Sequence, residues 1–278
     1  MNEFFEILLV TCLIASLLIA LCDQLFFYKA RRASLTHAHP NFNTLPKKTQ
    51  QALLKAPFLA DYARSLLPVF ILVFVLRTFI FGLYVVPTGS MLPTIQLDDV
   101  LYVNKLAYEI HLPFKQDPLW IRHTPQTGDI AVFHFPVNPN VDYIKTIIGV
   151  PGDQISYIDK KLYLNGHLVP QTYLTTQIEP TNANLNNTAV ELYQENLNTH
   201  LHWIYNTPNY PSPDFYHLVV PKGEYFVMGD NRDNSDDSRY WGFVPQSALV
   251  GRAVFILASF NPNHFYLPRW DRFFKSLP

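Results

Sequence analysis

Residues 65–94 read SLLPVFILVFVLRTFIFGLYVVPTGSMLPT, and this stretch divides the chain into two unlike parts. From Ser65 to Val86 the only charge is Arg77, and the run matches the ~20 apolar residues that carry a helix across a bilayer core. One arginine can snorkel or face protein. A transmembrane helix is therefore expected over residues 65–83, and an independent body over residues 84–278. From Tyr84 onward short apolar runs alternate with Pro, Gly, Asn and Asp, as in Val100–Val103, Ile130–Phe135, Tyr143–Val150, Gln154–Ile158 and Ala253–Leu257. Pro151-Gly152-Asp153 and Asn165-Gly166 punctuate them, the latter as a two-residue hairpin signal. No sustained helical period appears in the body, so it is expected to be mostly β, with many short strands.

A second apolar run, Phe4–Cys22, is broken only by Glu6. A cleaved signal peptide is the ordinary alternative. Glu3, however, makes its flank acidic where a signal peptide is basic, and no small-x-small cleavage site follows. The run reads as a retained helix over residues 4–22, behind a short exported N-terminus of residues 1–3. Residues 24–64 carry seven basic side chains against Asp61 alone, a local charge of +6. By the positive-inside rule residues 23–64 form a cytoplasmic loop. Both termini and the 84–278 body then lie on the far side of the membrane, which in a bacterium is the periplasm or the outer surface.

The formal net charge of -1 hides an acidic body, since residues 84–278 hold 13 basic and 18 acidic side chains. A nucleic-acid partner is excluded on that balance. A hydrophobic fraction of 49% with 15% charged residues excludes a disordered chain. Two Cys, both before residue 23, exclude a disulfide scaffold and a four-cysteine zinc site. Residues 171–216 are rich in Asn, Thr, Gln, Tyr and Pro and are expected to leave the core sheet as an excursion with a few extra strands. Within it Thr181–Thr188 approaches low complexity, and Asn186-Asn187-Thr188 fits a glycosylation triplet of a kind that chance often produces.

Three segments could carry chemistry. Pro87-Thr88-Gly89-Ser90-Met91-Leu92-Pro93-Thr94 is a rigid, non-helical loop with Ser90 between small neighbours; alone it reads as an ordinary turn. In Asp142-Tyr143-Ile144-Lys145-Thr146-Ile147-Ile148, Lys145 interrupts a β-type apolar run. Such a lysine is commonly an edge or snorkelling residue. If buried, its ammonium is disfavoured and the amine becomes a usable base near neutral pH. Gly229-Asp230-Asn231-Arg232-Asp233-Asn234-Ser235-Asp236-Asp237-Ser238-Arg239-Tyr240-Trp241-Gly242 reads as a folded ion-pair network rather than an EF-hand, whose Gly and terminal Glu are missing. His200-x-His202 lacks a third ligand and reads as a surface pair. There is no His-Glu-x-x-His, no phosphate loop and no Gly-x-Ser-x-Gly elbow.

Behind two spans and in this order, the three segments closely resemble the serine, lysine and C-terminal boxes of the bacterial type I signal peptidase (leader peptidase) family. Gly128-Asp129-Ile130-Ala131-Val132-Phe133 resembles its structural strand. The resemblance implies two N-terminal transmembrane α-helices followed by a mostly antiparallel β-sheet catalytic body. It implies Ser90 as nucleophile and Lys145 as general base, Ser235 orienting the amine, and an oxyanion hole from the Ser90 N–H and the Thr88 hydroxyl, where many members have Ser. It implies pocket walls at Val86, Met91, Ile95, Leu101, Val132, Tyr143 and Ile144, and structural support from Asp230, Asp237 and Arg239. Thr146 stands where many members carry an Arg that pairs with the residue matching Asp230; Arg252 is the substitute partner expected here. The implied substrates are secreted preproteins cut after Ala-x-Ala-type sites. No cofactor or metal is implied, while the lipid bilayer and proximity to the export translocon are. Trp241 and Trp270 are candidates for dipping into the lipid interface. The same catalytic residues would serve a specialised processing peptidase of the family. An inactive signal-peptide-binding relative is disfavoured because Ser90, Lys145, Ser235 and Thr88 are all present.

Overall fold

The structure is a computed structural model that describes residues 2–38, 42–111, 118–121, 123–178, 189–198, 200–262 and 264–278. It divides into two compact units, Met1–Thr78 and Phe79–Pro278.

In the first unit the helix Asn2–Cys22 runs through one π-helical turn, Asp23–Phe27, into the helix Tyr28–Ala38. The helix Phe58–Val75 continues through a second such turn, Leu76–Ile80. Both are long and apolar enough to cross a bilayer. Many of their Leu, Ile and Phe side chains are exposed, which suits a lipid surround and would be costly in water. Asp23 is buried at the first π turn, in a two-pronged hydrogen bond from Arg31 at 2.6 and 3.0 Å and a contact with Arg64 at 2.9 Å. The basic stretch expected as a loop is thus largely helical. The second helix begins at Phe58 rather than Ser65 and ends at Ile80 rather than residue 83. Phe81–Val85 is instead a strand that pairs with Asp99–Asn104. Apolar content alone cannot separate a helix end from a buried strand.

Among the described residues of the second unit every strand pairing is antiparallel apart from one isolated bridge. The main sheet runs in the order Phe81–Val85, Asp99–Asn104, Leu249–Asn261, Ile130–Phe135, Asn138–Gly149, Glu224–Met228, Val244–Pro245. A second sheet joins Phe215–Val219, Gln154–Ile158, Lys161–Leu164 and His167–Leu168. Its Asn165-Gly166 turn has both φ values positive, 52° and 80°, as a tight I′-type hairpin requires. The core behind the future site packs Val86, Met91, Ile95, Leu101, Val132 and Ile256.

The excursion contains a three-stranded sheet of Gln171–Ile178, Ala189–Leu197 and His200–Asn206. The Thr181–Thr188 tract and its Asn-Asn-Thr triplet lie outside the described residues. This sheet is stitched to the C-terminal box: Tyr205 N–H donates to Asp230 O at 2.9 Å and Arg232 N–H to Tyr205 O at 3.0 Å. Its Glu195 is fully buried and accepts from Arg232 Nη1 at 3.0 Å, from Arg232 Nη2, and from Gln171 Nε2 at 2.7 Å. Burial by itself would raise the Glu195 pKa, but Arg232 and His202 outweigh it and hold the carboxyl well below the usual range. Glu195→Ala leaves the Arg232 guanidinium buried without its partner. The expected loss is about 3–5 kcal/mol, read as a lowered thermal midpoint of the detergent-solubilised chain. A variant that melts with the wild type would refute this role for the pair.

Candidate active site

The Ser90 loop is held from both ends and from behind. Val86 N–H donates to Asp99 O at 3.0 Å, and Asp98 N–H returns to Val86 O at 2.8 Å. Met91, Leu92 and Ile95 are buried and anchor the turn that follows. Asn231 clamps the reverse side: its N–H donates to Ser90 O at 3.0 Å and its Nδ2 to Gly89 O at 3.1 Å.

Lys145 lies on the long strand Asn138–Gly149, opposite Ala131. It is 4% exposed, and its Nζ donates to Ser90 Oγ at 2.7 Å. Burial brings the Lys145 pKa down to about 8, although Asp237, Asp236 and Asp230 pull the other way. Burial wins because hydration favours an ammonium more strongly than several carboxylates do at a distance. The Tyr143 ring centroid lies 5.3 Å from Nζ.

Both groups line a cleft of about 450 Å³. Of the expected walls, Val86, Met91, Tyr143 and Ile144 line it, and Thr88 stands exposed at its rim. Ile95, Leu101 and Val132 do not; they are wholly buried in the core cluster behind. Tyr84, Val85, Val141 and Asp236 complete walls that the sequence did not single out. Tyr143 OH donates to Asp236 at 3.3 Å.

The C-terminal box is a network rather than a loop in solvent. Asp237 accepts from Arg239 Nε and Nη2, both at 2.8 Å, and from Gly229 N–H at 3.0 Å. It also caps the short helix Ser238–Trp241. Asp230 corrects an expectation. Arg252 pairs with Asp129 at 3.1 Å, while Asp230 accepts from Thr146 Oγ1 at 2.7 Å and from Thr94 Oγ1. The hydroxyl at 146 thus supplies a buried hydrogen bond to Asp230. Ser235 also departs from its expected geometry. Its Oγ is buried, has no hydrogen-bond partner among the described residues and lies against Gly229, not on Lys145. His202 is no surface residue: Nε2 is 2.9 Å from Glu195 and Nδ1 3.7 Å from Asp230. Trp270 is exposed, whereas Trp241 packs beside Phe133 and Phe135. No cluster that could hold a metal ion occurs among the described residues.

A hydroxyl in contact with a buried amine, at an open cleft of largely apolar side chains on a β body, is the equipment of a serine peptidase. The chain belongs to the signal peptidase family, peptidase S26, whose family model matches residues 59–258. It is 37% identical to a signal peptidase I of Pseudomonas fluorescens, over 98% of each chain. The identity to a signal peptidase I of Pseudomonas aeruginosa is also 37%, over 96% of this chain and 97% of the relative. For a signal peptidase I of Aquifex aeolicus the values are 35%, 66% and 78%.

Proposed function

We propose that the chain is a membrane-anchored endopeptidase that removes N-terminal signal peptides from exported preproteins, cutting after Ala-x-Ala-type sites. Ser90 is the nucleophile and Lys145 its general base. The observation that carries this reading is the 2.7 Å contact between Lys145 Nζ and Ser90 Oγ. A neutral amine at that distance accepts the Oγ proton as oxygen attacks the scissile carbonyl. The resulting ammonium then protonates the departing amine, and water repeats the cycle on the acyl-enzyme. The Ser90 N–H and the Thr88 hydroxyl are assigned to the oxyanion. Val86, Met91, Tyr143 and Ile144 favour small side chains before the scissile bond. The two apolar helices support anchoring in the inner membrane. The +6 charge of residues 24–64 supports a cytoplasmic loop and a periplasmic catalytic unit near the translocon.

The base works only when neutral, so activity must climb as pH rises through the lysine's pKa. For purified full-length chain acting on a preprotein, kcat/KM is expected to rise tenfold per unit below about pH 8 and level above it. Mass spectrometry of the products should place the cut after Ala-x-Ala. Ser90→Ala should show no cut; equal cleavage by that variant would mean the nucleophile is another residue.

A further inference from the structure

The cleft beside Ser90 is lined by three ionisable side chains besides Tyr143: Asp142, Lys145 and Asp236. The Asp142 carboxylate lies 2.7 Å from His134 Nδ1. Lys145 is the buried amine and is neutral when it serves as the base. Asp236 is exposed, and among the described residues no lysine or arginine forms an ion pair with it. It accepts from Tyr143 OH at 3.3 Å. Tyr143 keeps the proton for this contact, since burial and the Asp236 charge both raise its pKa. The next residue, Asp237, is fixed by Arg239 and by the Gly229 N–H, so Asp236 projects from an anchored backbone. A negative charge without a basic partner thus stands on the wall of the cleft that holds the nucleophile.

We infer that Asp236 is a specificity-determining residue, which favours a basic and disfavours an acidic substrate side chain close to the scissile bond. An extended substrate turns successive side chains to opposite sides. In the proposed reaction the small −1 and −3 side chains meet the apolar walls Val86, Met91, Tyr143 and Ile144. The residues on either side of −1, at −2 and +1, have no such requirement for small size and can carry a charge. An ion pair in open water is worth little, but beside low-dielectric walls a charge is screened less. The body as a whole carries five more acidic than basic side chains, a diffuse field of the same sign. Asp236 differs in standing on the cleft itself. It also stabilises the Lys145 ammonium, along with Asp237 and Asp230. That effect is common to every substrate and cancels when two substrates are compared on one enzyme.

This role for Asp236 rests on the reading of the chain as a signal-peptide endopeptidase with Ser90 as nucleophile. It is tested with full-length wild type, Asp236→Asn, Asp236→Lys and Ser90→Ala in non-ionic detergent. The substrates are one preprotein carrying Lys, Gln or Glu at −2 or at +1, and kcat/KM is measured at pH 9. There Lys145 is largely neutral while a substrate lysine is still charged. Asparagine keeps the size of Asp236 and an acceptor for Tyr143 OH but carries no charge. At low salt the wild type should prefer Lys to Glu about tenfold at one or both positions, attraction and repulsion each contributing up to about fivefold. Asp236→Asn should bring that ratio to within about twofold of unity, and Asp236→Lys should invert it. In 1 M salt the wild-type ratio should shrink, because screening then acts within about 3 Å. If Asp236→Lys does not fold, the asparagine variant decides alone. A wild type indifferent to substrate charge at both positions overturns the inference. So does a preference that survives in Asp236→Asn, which would belong to another group. Failure of the wild type to cut any of the substrates, or activity in Ser90→Ala, would instead overturn the reading beneath it.

Discussion

Lys145→Arg is expected to lose at least about 10²–10⁴-fold in kcat, the share that general acid–base catalysis contributes. In the proposed mechanism the lysine can act because burial lowers its pKa to about 8, within reach of neutrality. Guanidinium stays protonated at any working pH, so the same burial cannot turn it into a base. The conservative appearance of the change is misleading, since charge is retained and the proposed base must be neutral. Raising the pH to 10 should not rescue the variant, whereas the wild type should be at its plateau there. Turnover above a tenth of wild type, or a rescue at high pH, would mean that a different group takes the Ser90 proton.

The two residues of the proposed dyad are legible for different reasons. Ser90 sits in a proline-bounded loop of small residues, and Lys145 is a charge in an apolar β run; each invites a bland reading alone, and only their order along the chain pointed to one site. Their contact spans 55 positions and depends on the antiparallel register that sets Lys145 against Ala131. The resemblance implies Ile95, Leu101 and Val132 as pocket walls, but a motif match does not say which packed layer opens to the cleft. That is why these three belong to the core instead. Arg252 failed as a partner of Asp230 because register sets it beside Ala131, next to Asp129. The polar composition of the excursion gives no sign of Glu195, and from the sequence His202 reads only as half of a surface pair. A charge becomes a buried network member only when the fold supplies its partner, here Arg232, which lies 37 residues beyond Glu195. The π-to-strand junction at Ile80–Phe81 was hidden by the uniform apolarity of the segment.

Gly229→Ala is expected to lower kcat/KM by about 10²-fold, the scale of a misplacement near 1 Å at a reacting pair. A Cβ at 229 would lie 2.2 Å from Ser235 Oγ and 2.5 Å from the Ser90 carbonyl oxygen. The serine side chain can rotate away, but the carbonyl is backbone and is pinned by the Asn231 N–H at 3.0 Å. Gly229 cannot retreat either. Its own N–H is tied to Asp237 at 3.0 Å, and Met228 before it is paired in the sheet with Thr146. The Ser90 peptide must therefore shift, and the 2.7 Å contact to Lys145 lengthens with it. Adding Ser235→Ala to Gly229→Ala removes the side-chain overlap and leaves the backbone one. The double variant should stay as impaired as Gly229→Ala once the activity of Ser235→Ala alone is allowed for. Recovery in the double variant would place the conflict at Ser235 rather than at the Ser90 backbone, and full activity of Gly229→Ala would show that this backbone can yield without moving the nucleophile.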